Sequence, residues 1–173
     1  MNKDIYAAIM AGGIGSRFWP ASRTSKPKQF LDILGIGRTL IQSTYDRFLK
    51  ICPKENIFIL THSDYVSLVK EQLPDIQDFQ ILTEPARKNT APCIAYSAFK
   101  INKLNPNANI IVAPSDHIIL NEDEFVRIAN LTVDFVSKNN ALATLGIRPT
   151  RPDTGYGYIQ YVEEETAPEI HKV

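Results

Sequence analysis

The chain has 173 residues, enough to bury the core of one ordinary domain, and its 44% hydrophobic and 22% charged residues match a water-soluble globular protein. Its 19 Lys and Arg balance 19 Asp and Glu, for a formal net charge of zero. That balance removes any global field for nucleic acid or an anionic membrane, so an anion must be held by a local arrangement of charges.

In chain order, Met1-Asn2-Lys3-Asp4 leads into the apolar run Ile5 to Met10, which stops at Ala11-Gly12-Gly13 and reads as a buried strand feeding a loop. The run is too short for a signal-peptide core, and no later run is able to span a bilayer. Thr39 caps a helical period carrying Leu40, Ile41, Tyr45, Phe48 and Leu49. Ile57 to Leu60 is a second buried strand, followed by a short helix from about Ser63 to Leu73. Phe79 to Leu82 is a third, ending in Thr83-Glu84-Pro85.

Asn89 or Thr90 caps the next helix, with Pro92 in its first turn, where a missing N–H costs nothing. Ile94, Ala95, Tyr96, Ala98, Phe99 and Ile101 make that helix apolar almost all round, which predicts a deeply buried position. Ile110 to Ala113 is a fourth strand, terminated by Pro114-Ser115-Asp116-His117. Phe125, Ile128, Thr132 and Phe135 fit another helix, Ala141 to Leu145 a fifth strand, and Tyr156 to Val162 alternates like a strand. The acidic run Glu163 to Glu165 reads as a solvated turn.

Strands joined by helices predict an α/β fold, a doubly wound, mostly parallel Rossmann-like sheet flanked by helices. Ligands of such sheets sit at the carboxyl ends of the strands, where strand order reverses. The unusual segments Ala11 to Arg17, Glu84 to Thr90 and Pro114 to His117 all follow strands, so they are expected to converge on one crevice. Cys52 and Cys93 have no metal-ligand spacing and read as buried thiols in a reducing compartment, hence a cytoplasmic protein. His62, His117 and His171 show no ligand spacing either and read as structural or exposed.

Ala11-Gly12-Gly13-Ile14-Gly15-Ser16-Arg17 has the glycines that let backbone N–H groups turn toward a phosphate. A dinucleotide fingerprint from Gly13 fails at Phe18, and the Gly-Lys-Ser/Thr of a P-loop is absent. What remains is either a tight strand-to-helix turn or a phosphate cradle with Arg17 and Lys28 close behind it. In isolation either cation would be a solvated surface charge.

The full stretch from Ala11 to Phe30, Ala-Gly-Gly-Ile-Gly-Ser-Arg-Phe-Trp-Pro-Ala-Ser-Arg-Thr-Ser-Lys-Pro-Lys-Gln-Phe, closely resembles the signature of bacterial mannose-1-phosphate guanylyltransferases. The glycine turn, the arginine and Pro27-Lys28 are shared with sugar-phosphate nucleotidyltransferases at large, whereas Trp19-Pro20, Ser22-Arg23 and Lys28-Gln29-Phe30 resemble the guanylyltransferase branch. Glu84-Pro85 through Asn89-Thr90-Ala91-Pro92, Pro114 to His117, and Leu145-Gly146-Ile147 through Thr154 to Tyr158 extend the resemblance over essentially the whole chain.

The resemblance implies a nucleotide-diphospho-sugar transferase type of fold, with residues 1–173 as its N-terminal, nucleotide-binding portion. The implied reaction joins mannose 1-phosphate to the α-phosphorus of GTP, forming GDP-mannose and expelling pyrophosphate. It needs no covalent nucleophile, because the sugar phosphate itself attacks. Catalysis then means alignment and neutralisation of charge. Arg17 and Lys28 become the catalytic cations, Arg17 gripping the pyrophosphate with its planar fork and Lys28 bridging the α-phosphoryl group and the sugar phosphate. Ala11, Gly12, Gly13, Gly15, Ser16, Asn89 and Thr90 become nucleotide-binding residues, and Tyr156 and Gly157 sugar-binding ones.

Asp116 would hold Mg²⁺, although an Asp in that place also suits a plain turn. Glu84 would read guanine, whose N1–H and N2 amino group are both donors that one carboxylate can accept; the bland alternative is a strand-terminal Glu before a proline. Two departures stand out. Lys88 takes the place of the arginine usual before Asn-Thr-Ala-Pro, with Arg87 one place earlier, and Asp153 takes the place of a glutamate.

Family members continue past the position of Val173 with a Phe-x-Glu-Lys-Pro element and a second metal carboxylate, so the fold is expected to be incomplete at its C-terminal side. Nucleotide binding should then outlast catalysis in these residues alone, and open sheet edges would favour a homo-oligomer. Two other readings stay open: a nucleotide-binding fragment inactive by itself, and a sister transferase for another nucleoside triphosphate or hexose 1-phosphate. Neither nucleic acid nor membrane is an expected partner.

Overall fold

The fold is built on strand β1 (Ile5–Met10), whose side chains are buried on both faces. The computed structural model describes residues 2–13, 18–84 and 88–173. Ile5, Ala7 and Ile9 face one core and Tyr6 and Ala8 the other, which is why the run is apolar without alternation. Helix α1 (Leu40–Phe48) begins at Thr39, whose backbone N–H donates to the Gln42 side chain at 3.0 Å. Strand β2 (Ile57–His62) pairs parallel with β1.

A single-turn 3₁₀ helix, Ser63–Tyr65, leads into helix α2 (Val66–Gln72). Strand β3 (Ile81–Glu84) pairs parallel with β2, placing His62 opposite Glu84. Helix α3 (Thr90–Leu104), strand β4 (Asn109–Pro114) and helix α4 (Glu122–Lys138) follow. The sheet order is β3-β2-β1-β4, all parallel, so the chain winds one way from β1 to β3 and then crosses back to the far side of β1. Residues of α1, α2 and α4 pack on one face and those of α3 on the other, as expected of a doubly wound sheet. Among the described residues no helix is long and apolar enough to cross a membrane.

Four local expectations are corrected. Strand β3 starts two residues later than the apolar run suggests, because Asp78–Gln80 forms a 3₁₀ turn. Buried Gln80 holds that turn by donating to the carbonyls of Lys54 and Ile57 at 2.7 and 2.8 Å. Helix α3 is not deeply buried: only Cys93, Ser97 and Ile101 are enclosed, and Phe99 is 77% exposed. It covers a four-stranded sheet on one side and meets no cover on the other among the described residues.

Ala141–Leu145 and Tyr156–Val162 form no strands, because a strand exists only where a partner satisfies its backbone along its length, and among the described residues the one such bond from either run to a distant backbone is the Val162 N–H to the Lys172 carbonyl at 2.8 Å. The free edge of β4 likewise has no partner among the described residues, and all six of its residues are half-buried. The acidic run is exposed, but Glu165 opens strand β5 (Glu165–Ala167), which forms a small antiparallel ribbon with β6 (Ile170–His171).

Candidate active site

Because the strands are parallel, their C-terminal ends share one edge, and the strand order sets the turn after β1 in its middle. The Ala11 N–H donates to the Leu60 carbonyl of β2 at 2.7 Å, and the Ser115 N–H donates to the Met10 carbonyl at 3.0 Å. The turn is therefore tied to both neighbours at the point where strand order reverses. Of the three unusual segments, Ala11–Gly13, Glu84 and Ser115–Asp116 come together here.

The turn itself is held from beneath. Gln29, only 3% exposed, donates through Nε2 to the carbonyls of Ala11 and Gly13, both at 2.9 Å. Thr61 Oγ1 donates to the Ala11 carbonyl at 3.0 Å. The N–H groups of Gly12 and Gly13 have no acceptor among the described residues. A Cβ on Gly12 would lie 3.5 Å from Glu84 Oε2, so the carboxylate at the end of β3 leans against the turn. Gly15, Ser16 and Arg17 lie outside the described residues.

On the β4 side stands a charge pair. Lys28 opens the single-turn 3₁₀ helix Lys28–Phe30, anchored by the fully buried Phe30 ring. Its Nζ lies 3.3 Å from Asp116 Oδ2, 3.5 Å from the Asp116 carbonyl, and 4.5 Å from the centroid of the Phe18 ring. Next to Phe18, Trp19 is 73% exposed, with the Arg23 guanidinium 5.8 Å from its ring centroid. Asp116 is positioned by its neighbour: the Ser115 carbonyl accepts from buried Thr44 Oγ1 of α1 at 3.2 Å.

On the β3 side, Glu84 adjoins Cys93 in the first turns of α3. Burial pushes the Cys93 thiol up to about 12, and the nearby Glu84 charge and a hydrogen bond to its side chain add to that. Asn89 caps α3 with φ 67° and ψ −170°, a region that glycine adopts far more readily, and both Asn89 and Thr90 are exposed. Lys88 is exposed beside them.

The predicted sugar-binding pair stands apart. Tyr156 is 74% exposed, and among the described residues no hydrogen bond, ion pair or ring contact joins it or Gly157 to Ala11–Gly13, Lys28, Glu84 or Asp116. The bonds of their stretch are internal, such as the Asp153 N–H to Tyr158 Oη at 2.7 Å. Sequence reasoning did not find Thr44, Thr61 or Cys93; single buried polar residues on a helix or strand carry no spacing signal. His62 proves structural, its Nδ1 3.0 Å from Asp64 Oδ2 and its ring against Tyr65, although its backbone borders Gly12.

The arrangement offers N–H donors in a glycine turn that meet no acceptor among the described residues, a cation–carboxylate pair on one side and the Glu84 carboxylate on the other. This set suits a polyanion with a polar head. The nucleotidyl transferase family model matches residues 6–171. The chain belongs to that family.

This nucleotidyl transferase chain is 41% identical over 162 residues to mannose-1-phosphate guanylyltransferase 2 of Escherichia coli O157:H7, an alignment covering 90% of the chain and 33% of that protein. It is 41% identical over 155 residues to the mannose-1-phosphate guanylyltransferase of Salmonella muenchen, covering 87% and 32%. Its fold is similar to the crystal structure of mannose-1-phosphate geranyltransferase from Thermus thermophilus, with a TM-score of 0.82 and 32% identity over 95% of this chain and 47% of that one. The chain thus spans about a third of the length of the curated relatives it matches.

Proposed function

We propose that these residues form the nucleotide-binding portion of a mannose-1-phosphate guanylyltransferase, which makes GDP-mannose and pyrophosphate from GTP and mannose 1-phosphate. The observation that carries the reading is the glycine turn flanked by the Lys28–Asp116 pair on one side and Glu84 on the other. The names of the relatives supply the sugar and the base.

In this reading a phosphate oxygen of mannose 1-phosphate forms a bond to the α-phosphorus of GTP, the α–β bridging P–O bond breaks, and pyrophosphate departs with the electron pair. The N–H groups of the turn, with Gly15 and Ser16, hold the triphosphate without a side chain in the way. Arg17 holds the pyrophosphate end, and Lys28 offsets charge between the two substrates as they meet. Glu84 accepts from guanine N1–H and the N2 amino group, with Asn89 and Thr90 beside it along the nucleotide. Tyr156 and Gly157 serve the sugar.

Asp116 is the residue that would hold Mg²⁺. Its carboxylate is a hard oxygen donor at a strand end, 39% exposed and already facing a cation, which fits an ion that takes one or two protein carboxylates and fills its shell with water and phosphate oxygens. When bound, magnesium supplies neutralising charge to the triphosphate. Two buried free cysteines support a cytoplasmic setting.

The test is Glu84→Gln in the full-length enzyme, assayed for pyrophosphate release with GTP and with UTP. An amide presents a donor where guanine needs an acceptor, so the GTP preference should shrink at least tenfold, about 1.4 kcal/mol. An unaltered preference removes Glu84 as the base reader, and release that requires no mannose 1-phosphate rejects the reaction.

A further inference from the structure

We infer that Gln29 is a positioning residue of the glycine turn: its side-chain amide holds two carbonyl oxygens away from the bound phosphates and ties the turn to Lys28. The inference rests on reading the turn as a phosphate cradle and names the part that keeps that cradle in shape.

Every peptide in a turn offers an N–H that attracts an anion and a C=O that repels it. A cradle works only if the carbonyls are engaged elsewhere. The amide nitrogen of Gln29 carries two protons and lies 2.9 Å from both Ala11 O and Gly13 O, so it can donate one to each. Thr61 adds a second bond to Ala11 O. One side chain therefore engages two of the three carbonyls from Ala11 to Gly13, while the N–H groups of Gly12 and Gly13 keep no acceptor among the described residues. At 3% exposure Gln29 meets little competing water, so the bonds persist without nucleotide.

The second consequence is distance. Gln29 follows Lys28 directly in the single-turn helix rooted by buried Phe30, so the backbone that carries the ammonium is bonded to the turn through the next side chain. The spacing between the turn's donors and Lys28 is set before any ligand arrives.

The experiment compares GTP binding by calorimetry, without sugar phosphate, for the full-length protein and its Gln29→Glu and Gln29→Met variants, across a range of pH below the melting temperature of each. A carboxylate facing two carbonyls repels both, and burial among acceptors raises its pKa, so a protonated carboxyl can donate to one of them only at acid pH. The Gln29→Glu variant should bind GTP about tenfold or more weakly at alkaline pH and regain affinity as pH falls. The Gln29→Met variant should be weakened without that recovery.

Should the methionine variant fail to fold, Gln29→Asn keeps the amide one methylene short and should lie between wild type and Gln29→Glu at alkaline pH. Variants that melt earlier yet bind GTP as the unaltered protein does, with the same pH profile, overturn the inference and make Gln29 a core residue only. If the unaltered protein fails to bind GTP, the cradle reading falls and takes this inference with it; binding indifferent to Gln29 sinks the inference alone.

Discussion

Replacing Lys28 by alanine separates stability from chemistry, and the structure sets the size of each effect. The Nζ to Oδ2 distance is 3.3 Å, and the pair's gross attraction at an effective dielectric of about 20 is roughly 5 kcal/mol. Most of that does not survive, because Asp116 is 39% exposed and Lys28 20%, so solvent screening and side-chain entropy leave a net contribution of about 1 kcal/mol or less. Lys28→Ala should therefore lower the melting temperature by only about 2–4 °C for a chain of this size.

Turnover should respond differently. An ammonium aimed at charge that develops during the reaction is worth about 3–4 kcal/mol, or two to three orders of magnitude in rate. Pyrophosphate release by the full-length enzyme should fall by that factor, while GTP affinity measured by calorimetry changes by less than about tenfold. A rate equal to that of the unaltered enzyme would remove Lys28 from the mechanism. A melting temperature lowered by much more than the expected shift, with a parallel loss of GTP binding, would instead make the lysine a structural strut.

Glu122 gives a pH prediction. Burial alone would raise its carboxyl, but hydrogen bonds and charge from Lys50 and Arg47 outweigh that and hold it below the ordinary carboxylate value of 4.5. A depressed folded pKa means a contribution present above the unfolded value and lost as pH falls through the folded one, so the stability gap between wild type and Glu122→Gln, about 1–2 kcal/mol at neutral pH, should close below about pH 4; urea melts showing a constant gap would refute this. Asn89→Gly should stabilise the protein by about 1 kcal/mol by relieving the strained cap, yet weaken GTP binding if the amide touches nucleotide; a lower melting temperature would show that the amide matters more to the fold than the strain does. Burial pushes the thiols of Cys52 and Cys93 up to about 12, so iodoacetamide at neutral pH should label neither until the protein unfolds.

The strands buried on both faces, β1 and β2, were legible as continuous apolar runs, and Thr39 marked the start of α1 because capping is a local event. What could not be read was whatever depends on a distant partner. Ala141–Leu145 has the pattern of a strand and no neighbour to pair with among the described residues, and Phe79 belongs to a turn because Gln80 reaches back to Lys54 and Ile57. The outward face of α3 was misjudged for the same reason: apolarity shows that a surface can be covered, and only packing shows whether it is.

In the site, the glycines, Lys28, Glu84 and Asp116 were legible as motif residues; the glycines, Glu84 and Asp116 stand at strand ends that strand order brings to one edge, and Lys28 comes to it on the 3₁₀ helix Lys28–Phe30. The pairing of Lys28 with Asp116 across a separation of 88 residues was not. Nor was the double bond of Gln29, although the residue stood inside the motif.

Trp19 is the single tryptophan of the 173 residues. It stands in water beside the phenylalanine whose ring faces Lys28. Its intrinsic emission is therefore an optical reporter located where the nucleotide's tail is expected. Shielding of that indole from iodide quenching as GTP is titrated in would let occupancy be followed by light alone, with no label to disturb the chemistry.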